Sequence, residues 1–240
     1  MLNLALFFGL SAQAWSVKEN SAGEPLRWGI DAVEFWVNPA GSPGLTETEL
    51  DAAVAQCVAQ WNEVYPDEVQ LIYKGFTSAV RKVDYTDDMN VIFFEDVWSE
   101  DLDPSLLGVT WVWSIDGGEI TNFDIEVNTE HHRWSTDGAN GTNDFANMLT
   151  HELGHALGLG HSEAHAATMS ATTWPGELDK RTLDTDDRAG AAWLYSQPLP
   201  EPVQIGGCAG QVLGSELALA VPGIFLWGLM RRRRGAVHLS

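Results

Sequence analysis

His151-Glu152-Leu153-Gly154-His155-Ala156-Leu157-Gly158-Leu159-Gly160-His161 places three of the chain's seven histidines within one short run. Just upstream and into it, Phe145, Leu149, Leu153, Ala156 and Leu157 recur at helical spacing, so 144–157 is expected to be a helix. Asn143 or Asp144 can cap its start. His151 and His155 lie four residues apart, on a face expected to be exposed and opposite the apolar stripe. Two imidazoles one turn apart can hold a single zinc ion. Gly158 can take the left-handed conformation that ends a helix, and the returning chain lets His161 supply a third nitrogen. Three neutral nitrogens leave the fourth tetrahedral position to water, the open arrangement of a catalytic rather than a structural zinc site. Glu152, next to the first ligand, is placed to accept a proton from the zinc-bound water.

The rest of the chain is compatible with an enzyme domain. Its 240 residues are 45% hydrophobic and include 11 Trp, which supports a packed core. The formal net charge is −21, a balance that excludes nucleic acid as a partner because phosphates require basic surfaces. The acidity serves solubility; bound Ca2+ is the lesser reading, since no regular calcium-loop spacing is present. Of the two cysteines, Cys57 falls on the apolar side of an expected helix over 46–64, with Leu50, Val54, Val58 and Trp61. It reads as a small buried hydrophobe.

The two ends differ from the middle. Residues 2–10 form an apolar run followed by Ala12-Gln13-Ala14, so 1–14 is expected to be an export signal. The domain is then 15–197. Pro198, Pro200 and Pro202 mark a stiff linker over 198–204. Within 205–240, Gly207-Cys208 precedes an apolar run at 217–230 and Arg231 to Arg234, which would hold that end in the cytoplasm. This tail resembles the C-terminal sorting tags of Gram-negative bacteria, the myxobacterial type above all. It implies an exported protein at the cell surface or secreted, touching membrane only through the tail.

Strands are expected at 33–37, 69–73 and 90–94. Residues 107–114 and 119–128 read as a hairpin about Asp116-Gly117-Gly118, and 183–195 as a last helix opened by Asp184 and Asp186.

The run 151–161 resembles the metzincin zinc signature, and Ser162 directly after it resembles the matrixin variant. Met169 corresponds to the Met-turn beneath the zinc, and 183–195 to the closing helix. The resemblance implies an α+β fold: a twisted five-stranded mixed sheet with a backing helix, an active-site helix and a C-terminal helix. It implies one catalytic Zn2+ held by His151, His155 and His161, with Glu152 as the base of an endopeptidase acting on extracellular proteins. Substrate would lie along the edge strand, at Gly108, Val109, Thr110 and Trp111, and Ala171 to Trp174 would wall the first pocket after the cut. The chain is expected to act as a monomer.

There are departures from the family pattern. Ala171 stands where astacins carry a tyrosine ligand, the matrixin structural-zinc pattern is not recognisable, and no latency cysteine precedes the first expected strand. Asp116, Asp124 and Glu126 read either as calcium ligands or as the solvated face of the hairpin. His131, His132 and His165 read as polar surface. The alternative to an enzyme is a catalytically inactive, surface-anchored binding module on the same scaffold; intact Glu152 argues against it.

Overall fold

A computed structural model describes residues 13–65, 69–78, 83, 89–197 and 237–238. The expected export signal, linker and tail therefore lie outside the described residues, apart from Gln13, Ala14 and the pair 237–238. No helix among the described residues is long and apolar enough to cross a membrane.

In chain order the elements are β1 (Arg27–Trp28), β2 (Ala32–Asn38), α1 (Glu47–Val64), β3 (Gln70–Phe76), β4 (Val91–Glu95), β5 (Gly108–Ser114), β6 (Glu119–Asn128), β7 (Trp134–Ser135), β8 (Asn143–Asp144), α2 (Phe145–Ala156), β9 (Thr172–Thr173), a 3-10 turn at Asp179–Arg181, α3 (Thr185–Ser196) and β10 (Val237–His238). The main sheet runs β3-β2-β4-β6-β5. Its pairs are parallel except the β5–β6 hairpin, which is antiparallel. The sequence leads to an expectation of five strands; a sixth, the two-residue β1, pairs in parallel with the start of β6. Among the described residues β5 pairs only with β6, so it is the sheet edge that the resemblance called for.

Each element follows from local chemistry. Thr46 and Glu49 form a reciprocal capping box at the start of α1. That helix buries Leu50, Ala53, Val54, Cys57 and Trp61. Val91 to Phe94 of β4 are all buried, as a central strand covered on both faces requires. One sheet face, carrying Phe35, Val37, Ile92, Phe94, Phe123 and Ile125, joins α1 and α2 in a single core.

The other face changes the reading of the hairpin's acidic residues. Asp124 and Glu126 lie there beside Val91 and Phe93, by the register Val91↔Asp124 and Phe93↔Glu126. Both are buried, so they are not on a solvated face as one sequence reading had it. Asp124 accepts from the Val91 N–H at 3.0 Å, and Glu126 accepts from the Trp111 indole N–H at 3.2 Å. Only Asp116, in the turn, is exposed. The described end of the tail, β10, pairs antiparallel with β9.

Candidate metal centre

The active-site helix is set by its first residue and its last. Asp144 is the N-cap, its side chain accepting from the Asn147 N–H at 2.8 Å, and Arg181 pairs with the same carboxylate. The helix ends at Leu157, and Gly158 follows with φ +98°. A side chain at Gly158 would also run into the Leu26 carbonyl, so both conformation and space demand glycine there.

The expectation of an exposed histidine face is corrected by the packing. Every residue from Phe145 to Ala156 is buried, and His151 and Glu152 are both 0% exposed. Polar groups at that depth need partners, and the surrounding elements provide them. Trp61 Nε1–H donates to Thr150 O at 2.8 Å, Trp28 Nε1–H to Ala156 O at 2.9 Å, and Tyr195 O–H to Leu157 O at 3.0 Å. These three aromatic donors clamp the helix in place.

The histidine rings are oriented by backbone carbonyls. His151 Nδ1 lies 2.7 Å from Thr168 O, and His155 Nδ1 lies 2.8 Å from Leu159 O. A carbonyl only accepts, so each Nδ1 carries the proton and each Nε2 keeps its lone pair. His161 follows the turn and is the more open of the three. Its segment is braced by the N-terminal chain: Ser16 Oγ donates to His161 O at 2.7 Å, and Val17 bridges Leu159.

One ligand nitrogen from each of the three histidines lies within 4.8 Å of the others. His155 Nε2 is buried with no hydrogen-bond partner among the described residues. A buried lone pair without a donor is costly unless a cation meets it. Burial first, then the charges of Lys18, His151 and His161, holds the His155 pKa well below the ordinary value. Metal binding needs that nitrogen unprotonated, and burial acts in the same direction. Burial likewise lowers the Lys18 ammonium, against the pull of Glu152. The donor set fits a divalent metal of zinc's preference, through His151, His155 and His161.

Met169, 2% exposed, packs against the same helix at Gly154. A Cβ on Gly154 would overlap the Met169 sulfur and come within 2.8 Å of Trp61 Cζ2, so the bare helix backbone there is what admits the methionine. The segment is held by Asp187 at the start of α3. Its carboxylate accepts from the N–H groups of Thr168 at 2.8 Å, Met169 at 2.9 Å and Asp184 at 2.8 Å. Ser162 Oγ donates to the neighbouring Asp186 at 2.6 Å, closing the loop from ligand back to helix.

The expected substrate strand divides by face. Val109 and Trp111 are half-buried on one side, while Gly108 and Thr110 are buried against α2. The Thr110 hydroxyl turns inward to Glu152, while its backbone N–H and C=O point away from β6. On the other rim of the site, Lys180 is buried and its ammonium donates to Ser170 O at 2.7 Å and to Thr172 O. Asn147 Nδ2 donates to Thr173 Oγ1 at 3.0 Å, tying the same wall to α2. His132 is half-buried rather than surface, with its ring between Pro104 O and Asn143. Thr168 and Lys180 carry no pattern in the sequence that marks them, whereas Asp187 stands in the acidic start of the last helix.

Comparison with known proteins agrees with this geometry. A family model described as Matrixin matches residues 27–196. Human Matrilysin is 41% identical over 68 residues, 28% of this chain and 25% of that protein. Stromelysin-1 of Rattus norvegicus is 28% identical over 160 residues, 66% of this chain and 31% of that protein. Human Matrix metalloproteinase-16 is 28% identical over 166 residues, 68% of this chain and 27% of that protein. The chain thus spans under a third of the length of each of these relatives. With the match running from β1 to the end of α3 and enclosing the three histidines, Glu152 and Met169, this chain belongs to the matrixin family.

Proposed function

We propose that the chain is a zinc-dependent endopeptidase. The observation that carries this reading is a three-nitrogen site, with a buried His155 Nε2 that has no partner among the described residues, next to a buried Glu152 and a sheet edge that no described strand covers. His151, His155 and His161 would hold the zinc, which when bound supplies Lewis-acid polarisation of the scissile carbonyl and acidifies water. Glu152 takes the proton of the attacking water on its carboxylate and returns it to the leaving amine nitrogen. A peptide aligned antiparallel to β5 gains backbone hydrogen bonds at Gly108, Thr110 and Val112, whose N–H and C=O groups point away from β6, and the wall at Ala171 to Trp174 selects the side chain after the cut. Its similarity to a matrix metalloproteinase supports the same reading.

The domain works outside the cytoplasm, on extracellular protein substrates, with the tail at 205–240 as its membrane device. The test of activity is digestion of casein or gelatin with and without a zinc chelator, beside Glu152→Ala. The variant should retain zinc and fold while losing about a hundredfold or more of the rate. Wild-type cleavage by that variant would refute the mechanism.

A further inference from the structure

Glu152 is fully buried, and a carboxylate at that depth works as a base only if its plane is fixed. The neighbour that can fix it comes from a distant part of the chain. The Thr110 hydroxyl on β5 lies 2.6 Å from Glu152 Oε2 and 3.1 Å from the Glu152 carbonyl. A hydroxyl has one proton, and the shorter contact is to the charged oxygen, so the hydrogen bond runs to the carboxylate. The strand is pressed against the same group: a Cβ on Gly108 would sit 3.7 Å from Glu152 Cδ.

We propose that Thr110 is a positioning residue for the reaction, holding the Glu152 carboxylate in its working orientation. The proposal rests on the reading of Glu152 as the base. It assigns β5 a double role. The edge that aligns the peptide backbone also anchors the carboxylate, so scissile bond and base are placed by one element. The side-chain alternation of a strand makes this possible. Val109 and Trp111 face one way, Gly108 and Thr110 the other, toward α2. Thr110 never touches the peptide through its side chain; it acts through Glu152. Its loss should therefore lower kcat and leave KM nearly unchanged.

The experiment compares full-length wild type with Thr110→Ser, Thr110→Ala, Thr110→Val and Glu152→Ala. The probe is a quenched fluorogenic peptide copied from a site cut in casein. Zinc content and thermal melting are measured on each variant. Ser and Ala differ only by the hydroxyl, so Ala should show a kcat about tenfold or more below Ser, at equal zinc content and with KM within about twofold. Val keeps the shape without the hydroxyl and should behave as Ala does; if Val does not fold, the Ser–Ala pair still decides. Equal kcat for Ser and Ala, with Glu152→Ala inactive, overturns the role of Thr110 and leaves the base intact. Active Val with impaired Ser means the residue only packs, which also overturns it. Glu152→Ala turning over at the wild-type rate overturns the reading of the base and this proposal together.

Discussion

Asp187 holds three backbone N–H groups beneath the metal centre, and replacing it by asparagine sets two opposing effects against each other. Burial pushes the Asp187 carboxyl above its ordinary value, while the N–H groups of Met169, Thr168 and Asp184 pull it back. Oδ2 accepts from Thr168 and Asp184, and Oδ1 accepts from Met169. In Asp187→Asn the amide oxygen can serve the two donors, but the amide NH2 then faces the Met169 N–H. Two buried donors are left unsatisfied, at about 1–3 kcal/mol each, so a loss of about 3 kcal/mol is expected. For a domain of this size each kcal/mol is worth roughly 2–4 °C, which gives a melting temperature lower by about 6–12 °C. Thr168 O also orients the His151 ring, so zinc affinity should fall by about tenfold or more. Thermal unfolding by circular dichroism of the zinc-loaded protein, with chelator competition for affinity, reads both. If relief of the buried charge outweighs the lost hydrogen bonds, Asp187→Asn will melt within about 2 °C of wild type or above it. That result would refute the assignment of Asp187 as the anchor of the Met169 segment.

Cys57 is fully buried and its thiol is pushed up to about 12 by that burial. Alkylation needs the thiolate, whose fraction at pH 8 is then about one in ten thousand. Native protein should resist iodoacetamide at Cys57 at pH 8 and react once unfolded; peptide mapping reads Cys57 apart from Cys208, and rapid native labelling would contradict the burial. Deleting residues 205–240 should leave an active protease and move it from the cell fraction to the medium. The same fraction for both forms, with the same C-terminal peptide by mass, would dispose of the tail as an anchoring or sorting device.

What the sequence determined by itself is what short-range geometry encodes. The 3.6-residue period puts His151 and His155 on one helix face whatever surrounds them, and Gly158 at φ +98° ends that helix where the spacing required. The cap at Asp144, the β5–β6 hairpin and the burial of Cys57 are of the same kind: each depends on a few neighbours along the chain. The tertiary structure decided what no local pattern carries. His151 and His155 are oriented by the carbonyls of Thr168 and Leu159, and a carbonyl has no residue identity to read. The helix's polar face is buried because β5, the Met169 segment and the N-terminal chain converge on it, so charge and spacing alone suggested solvent where there is protein. Thr110 meets Glu152 across 42 residues of chain. In sequence it is an ordinary β-branched strand residue; only the packing of an edge strand on a buried helix gives its hydroxyl a carboxylate to hold.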